Sequence, residues 1–237
     1  MRLCQDTATT VGQLAVVNSA KNYLEIGVSE GGTLLSEKLL AIKKKFGVDP
    51  NLKISTSLLA ERNDINTYNM TSDIFFASHS RTIPSIDICF IDGLHTFEQV
   101  VKDLLGALTC MTPEGIIIID DIKPLTIAQA EGDLYKAISL KSITGEESGW
   151  WMGDVYKIVP FVHVFLLTHS YAIIPGDISQ LIIWRSSRGR LNQVYNASLS
   201  EISEMTFSDF LVLQPVLYNS TEISDIIALI EKDLMVS

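Results

Sequence analysis

Cysteine is scarce. Only three occur in 237 residues, Cys4, Cys89 and Cys110, and no CxxC pair is among them. That excludes a disulfide-stapled scaffold and a cysteine-based zinc site. Cys89 stands inside an apolar run, where a thiol serves as a small buried hydrophobe, and reduced thiols go with a cytoplasmic compartment. Positive charge is also short. Eighteen Lys and Arg face 28 Asp and Glu, a net charge of −10. Phosphate binding needs a basic surface, so nucleic acid is not expected as the main partner. No apolar run approaches the length of a membrane span. Met1 to Val17 lacks the continuous apolar stretch of a signal peptide. Internal repeats and low-complexity linkers are missing as well. What is abundant is hydrophobic residues, at 47%, enough for a sizeable core.

The stretch around which the rest is organised is Asn22-Tyr-Leu-Glu-Ile-Gly-Val-Ser-Glu-Gly-Gly-Thr33. It reads as a short strand over 22–27, a glycine turn, and a helix over 31–45 whose end carries Lys43, Lys44 and Lys45. Such turns let backbone approach a ligand. The G-x-G of a pyrophosphate cradle is absent, because position 29 is Ser. Glu25 stands beside the turn, and an acid there suits a cation better than a diphosphate.

Further strands are expected at 46–49, 65–70, 86–91, 116–119, 163–168 and 180–185. Helices are expected at 55–63, 97–109 and 128–140, and from about 153 to 161. Pro113-Glu-Gly115 reads as a turn. The runs at 86–91 and 116–119 are apolar without alternation, as in strands covered on both faces. The chain is therefore expected to be α/β, a doubly wound, mostly parallel seven-stranded Rossmann-like sheet with helices on both faces. Residues 1–190 would form the main domain and 191–237 a helical C-terminal appendage. One tail stripe, Ile223, Ile226, Ile227, Ile230 and Leu234, is expected to serve as core or as the seam of a homo-oligomer.

Ligands of open α/β sheets bind at the carboxyl ends of the strands. Asp92 and His95 follow the fourth strand, and Asp120 and Asp121 close the fifth, so all four should converge on the mouth that holds Gly27. Asp49 stands roughly 20 residues past the glycine turn, where such folds place an acid for ribose hydroxyls. Ser72 and Asp73 either face an adenine or cap the next helix. His95 and Asp92 are the catalytic candidates, with His95 as the general base, because an imidazole suits proton removal near neutrality. Trp150, Trp151 and Tyr156 either cover an acceptor or pack.

The glycine turn, the run Ile91-Asp-Gly-Leu-His-Thr-Phe-Glu98, the strand end Ile119-Asp-Asp-Ile-Lys-Pro124 and Gly153-Asp-Val-Tyr-Lys157 occur in that order. Together they resemble the class I S-adenosylmethionine-dependent methyltransferases, over roughly residues 20–185, in a bacterial branch acting on small molecules and sugars. The resemblance implies methyl transfer from S-adenosylmethionine to a hydroxyl of a small-molecule or sugar acceptor. Glu25, Gly27, Ser29 and Gly31 would hold the methionine part, Asp49 the ribose and Ser72 or Asp73 the adenine side, with Asp92 also beside the cofactor. Asp120-Asp121 departs from the His-Asp frequent in that branch. It looks more like metal-dependent O-methyltransferases, which implies that Asp92, Asp120 and Asp121 hold Mg²⁺. The alternatives are a non-catalytic binding or assembly subunit of the same fold and a nicotinamide-dependent oxidoreductase.

Overall fold

A computed structural model describes residues 6–176, 179–186, 188, 194–218 and 220–235. Cys4 lies outside them. The described strands are β1 (Asn22–Ile26), β2 (Lys44–Val48), β3 (Ile65–Tyr68), β4 (Ile86–Ile91), β5 (Met111–Ile119), β6 (His169–Ile174) and β7 (Gln180–Arg185). They form one sheet in the order β3-β2-β1-β4-β5-β7-β6. β1 to β5 pair in parallel. β7 runs antiparallel to both its neighbours. The chain winds outward through β2 and β3 on one side of β1, then restarts at β4 on the other. That reversal leaves a crevice at the carboxyl ends of β1 and β4.

Side-chain alternation splits the sheet between two apolar clusters. Leu24, Ile26, Cys89, Ile91, Ile117 and Ile119 face one. There they meet Phe75 of α3 (Ser72–Ser78), Val100 and Leu104 of α4 (Phe97–Leu108), and residues of α6 (Ile158–Phe165), α7 (Leu199–Ser203) and α8 (Phe207–Leu217). Tyr23, Ile88, Phe90, Ile116 and Ile118 face the other, against α1 (Thr7–Val17) and α9 (Ile223–Leu234). The tail stripe is turned inward here: Ile226 and Ile230 are buried in this second cluster. Two further helices, α2 (Thr56–Ala60) and α5 (Leu134–Thr144), are largely surface elements.

Several expectations are corrected. The helix over 31–45 does not form. Residues after Gly31 make turns and one 3-10 turn at Glu37–Leu39, yet Leu34 and Leu39 are still buried. Leucine spacing registered burial, not helix. The lysine run caps nothing. The N–H groups of Lys43 and Lys44 donate to the Lys21 carbonyl, and Lys45 is buried in β2 with its ammonium on Asp64. The strand expected over 163–168 forms later, as β6; residues 163–165 instead end α6, in which His163 is buried, and 166–168 turn into the strand. A run that is apolar all round carries no period to separate helix from strand. The helix at 128–140 forms later, as α5, with Asp133 as its cap. Pro113 and Gly115 lie inside β5, where the register against β4 shifts between Ile86 and Ile88.

Candidate active site

β1 is followed at once by Gly27, whose φ of 86° lies in the left-handed region. A Cβ there would sit 1.8 Å from the Asp92 carbonyl oxygen. Glycine therefore lets the ends of β1 and β4 close on each other. The Asp92 N–H then donates to the Ile26 carbonyl, and the Asp120 N–H to that of Ile91. Ser29 and Asp121 also take positive φ, 48° and 60°, uncommon for residues with side chains and most often found at functional turns.

These ends surround a cavity of about 860 Å³. The β1 turn from Glu25 to Ser29 forms one wall and Val48, Asp49 and Pro50 a second. Thr71, Ser72 and Asp73 form a third, and Asp92 to His95, Gln99, Asp120 and Asp121 close it. The three segments expected to meet, around 25–32, 92–95 and 119–121, line this one space. Gly31 does not line it. Its φ of 81° shapes the turn behind the wall, where a Cβ would meet Ile54 at 2.6 Å.

Glu25 is buried, and its carboxylate accepts one hydrogen bond among the described residues, from the Tyr23 hydroxyl at 2.8 Å. Burial pushes its pKa up to about 8, opposed by Tyr23 and assisted by Asp92 and Asp49. An acid so held lacks a cation. Asp49 is differently employed. It accepts from the N–H groups of Val28 (2.9 Å), Ser29 (2.8 Å) and Asn51 (2.6 Å). A carboxylate offers about four lone-pair directions, so one remains. The turn amides that would hold a phosphate are thus already bound to the chain's own Asp49.

His95 lies between two carboxylates. Its Nε2 is 3.3 Å from Asp92 Oδ1, and its Nδ1 is 3.1 Å from Asp121 Oδ2. Nδ1 also lies 2.6 Å from the Trp151 carbonyl oxygen. A carbonyl has no proton to give, so Nδ1 carries one and donates. Burial opposes the imidazolium, but the Asp92 and Asp121 carboxylates outweigh it and bring His95 up to about 9. Burial lifts Asp121 to about 6, with His95 pulling the other way. Asp120 is turned from this group. Its carboxylate accepts from the Asp121 N–H and the Gln180 amide, and burial, then Asp92 and Asp121, raise its pKa.

On the α3 side the helix cap is Thr71, not Ser72 or Asp73. Ser72, Asp73 and the buried Asp103 all accept from the side-chain amide of Gln99 at 3.0–3.3 Å. Gln99 and Tyr23 carry no motif that marks them. Gln99 falls on the first turn of α4, which is its single sequence-level hint. Of the aromatic insert, Tyr156 is buried against Phe210, Trp151 stacks on His95 with ring centres 5.5 Å apart, and Trp150 is exposed.

Residues 24–122 match a family described as a methyltransferase domain. By shape the chain is similar to a Staphylococcus aureus structure assigned as a caffeoyl-CoA O-methyltransferase (TM-score 0.57, 15% identity, 78% of this chain and 85% of that one). It is similar also to the Streptomyces achromogenes O-methyltransferase TomG, solved with S-adenosylmethionine (TM-score 0.51, 14% identity, 78% and 82%). A Bacillus cereus O-methyltransferase solved with S-adenosylhomocysteine gives the same score and identity over 78% and 84%.

The chain shares the fold of these O-methyltransferases.

An uncharacterized protein of Acanthamoeba polyphaga mimivirus is 34% identical over 113 residues, 42% of this chain. The chain spans about half the length of that curated relative. The matched segment of the methyltransferase fold runs from β1 to the turn after β5, and so contains Glu25, Asp49, His95 and Asp121. Among the described residues no helix is long and apolar enough to cross a membrane.

Proposed function

We propose that this chain transfers the methyl group of S-adenosylmethionine to a hydroxyl oxygen of a small molecule or sugar. The observation that carries the reading is Glu25, a buried carboxylate that opens on the cavity with, among the described residues, only Tyr23 to satisfy it. It suits the ammonium end of the cofactor, and Gly27 clears the backbone beside it. Asp49 has one lone-pair direction left for a ribose hydroxyl, and Ser72, Asp73 and Gln99 supply polar groups for the adenine side. Because Asp49 occupies the turn amides, the pyrophosphate of a nicotinamide dinucleotide has no cradle there.

Bound there, S-adenosylmethionine supplies a methyl group already activated on a sulfonium. The protein has then to align an acceptor oxygen and take its proton. We assign the second task to His95. Asp121 and the Trp151 carbonyl hold its Nδ1–H, leaving Nε2 to accept. Positive charge arriving beside Asp92 weakens that carboxylate's hold on the imidazolium and moves His95 toward its neutral, basic form.

A second reading replaces the base by a divalent cation. Asp92, His95 and Asp121 each offer a ligand atom, all within 4.8 Å of one another. The set includes an imidazole and leaves out Asp120, so it suits a softer ion than Mg²⁺. Calorimetric titration with S-adenosylhomocysteine, and with NADH as the rival, tests the cofactor. Acceptor screening with EDTA or added Mg²⁺ and Mn²⁺ separates base from metal. Tight NADH binding without S-adenosylhomocysteine binding would overturn the reading, and affinity without turnover would favour a binding subunit.

A further inference from the structure

The turn at 151–154, distant in sequence from every strand end of the site, is built against His95. Four contacts make the joint. The Trp151 carbonyl oxygen takes the His95 Nδ1–H at 2.6 Å. The Trp151 indole N–H donates to the Glu131 carbonyl at 2.6 Å, which fixes the residue that carries that oxygen. Gly153 has φ of 59° and lies so close that a Cβ would fall 1.6 Å from the His95 carbonyl oxygen. Asp154 Oδ1 accepts from the Phe97 N–H at 2.6 Å, two residues beyond His95, at the first turn of α4. Asp154 is itself held, through Oδ2, by Lys157 at 2.9 Å, and Lys157 is tied to the Ser203 carbonyl at 2.7 Å.

We propose that Asp154, with the Trp151 carbonyl, is a positioning element for the reaction: it locks the ring of His95 with Nδ1 donating and Nε2 turned to Asp92 and the cavity. The inference rests on the reading of His95 as the base. A neutral imidazole has one donor and one acceptor nitrogen, and the partner of one decides the role of the other. A backbone carbonyl can only accept, so it fixes Nδ1 as the donor at any protonation state of the ring. Asp121 reinforces that choice without being needed for it. The Phe97 N–H is one of the orphan donors of the α4 N-terminus. Tying it to Asp154 sets the distance between the 151–154 turn and the segment that carries His95. Asp154 touches neither the cavity nor Nε2, so its effect reaches the chemistry only through His95.

The test uses the full chain. A hydrogen-bonded imidazole N–H proton exchanges slowly enough to be observed by NMR. The His95 Nδ1–H signal, assigned by its loss in His95→Asn, is recorded without ligands for wild type, Asp154→Ala and Asp154→Asn. Wild type should show it, Asp154→Ala should lose it, and Asp154→Asn, whose amide oxygen can still accept from Phe97, should keep it. In turnover Asp154→Ala should lose about 10²-fold in kcat, the order of loss for a misplaced catalytic group. S-adenosylhomocysteine affinity should stay within about twofold, because the cofactor walls are untouched. Should Asp154→Ala fail to fold, Trp151→Phe removes the indole tether to Glu131, keeps an aromatic ring beside His95, and should weaken the signal and kcat in the same direction. An Nδ1–H signal and kcat that survive in both variants overturn the proposal. Loss of the signal in a protein with no methyl transfer to any acceptor upholds the joint and sinks the function it was joined to.

Discussion

Glu25→Gln isolates the electrostatic cost of an acid waiting for a cation. The substitution keeps the shape and an oxygen able to accept from the Tyr23 hydroxyl, and removes only the charge. An ordinary glutamate titrates at 4.5, and Glu25 in the fold at about 8. Between those values the folded state binds a proton that the unfolded state releases, so wild-type stability must fall as pH rises. The loss begins near pH 4.5 and is complete above pH 8. At about 1.4 kcal/mol per pH unit the gap sets a ceiling of roughly 5 kcal/mol, and relaxation of the site reduces that to about 2–4 kcal/mol. Glu25→Gln has no such slope. The two proteins should therefore have equal stability near pH 4, where both side chains are neutral. The variant should gain steadily up to pH 8 and hold its advantage beyond. Urea denaturation at intervals from pH 4 to 9 reads the difference directly. Saturating S-adenosylhomocysteine, whose ammonium would face the carboxylate, should stabilise wild type and leave the variant much less changed. A stability difference that does not vary with pH would refute the reasoning, since it would mean that Glu25 already has its counter-charge.

Other outcomes follow from the same geometry. Gly27→Ala puts a methyl into the Asp92 carbonyl at a left-handed position, and should cost roughly 3 kcal/mol or more in denaturant melts and abolish cofactor binding. Asp49→Ala frees three backbone donors and removes the ribose acceptor, so S-adenosylhomocysteine affinity should fall at least about 10-fold by calorimetry. For the kcat/KM of S-adenosylmethionine, a base must be neutral in the free enzyme. The rate should rise with pH and level off only near pH 9, where His95 loses its proton, and His95→Asn should remove that limb.

Much of the fold was legible because strands β4 and β5 are apolar runs between clear helix and turn signals. α4 was legible from its apolar stripe, and the structure adds a Thr96 cap and a first-turn Glu98 that the stripe did not need. What failed did so for local reasons. Leu34 and Leu39 are buried without a helix because the glycine turn runs straight into tight turns that still fold onto the sheet face. Lys45 reads as a helix-end cation, yet it is buried in β2 because Asp64, at the start of the next strand, is there to receive it. That partner is defined by strand pairing, not by spacing along the chain. His163 was misplaced because the surrounding run offers no polar face from which a period could be read.

The site divides along the same line. Strand-end acids announce themselves, since parallel strands deliver their carboxyl ends to one edge. Asp49, Asp92, His95 and Asp121 were accordingly found together. What each one does was not legible, because it depends on groups that leave no trace in a side-chain pattern. Asp49 spends three of its four acceptor directions on backbone N–H groups, and His95 is oriented by a backbone carbonyl 56 residues away. Two neighbouring aspartates, identical in sequence terms, part ways for the same reason. Asp121 takes a left-handed φ that brings its carboxylate to His95, whereas Asp120 keeps to the line of β5 and is buried against Gln180. A metal set drawn from sequence as Asp92, Asp120 and Asp121 thus differs by one member from the set the backbone brings within reach. That exchange of a carboxylate for an imidazole changes the chemistry offered: an all-oxygen cage for a hard cation gives way to a histidine that either takes a proton or binds a softer ion.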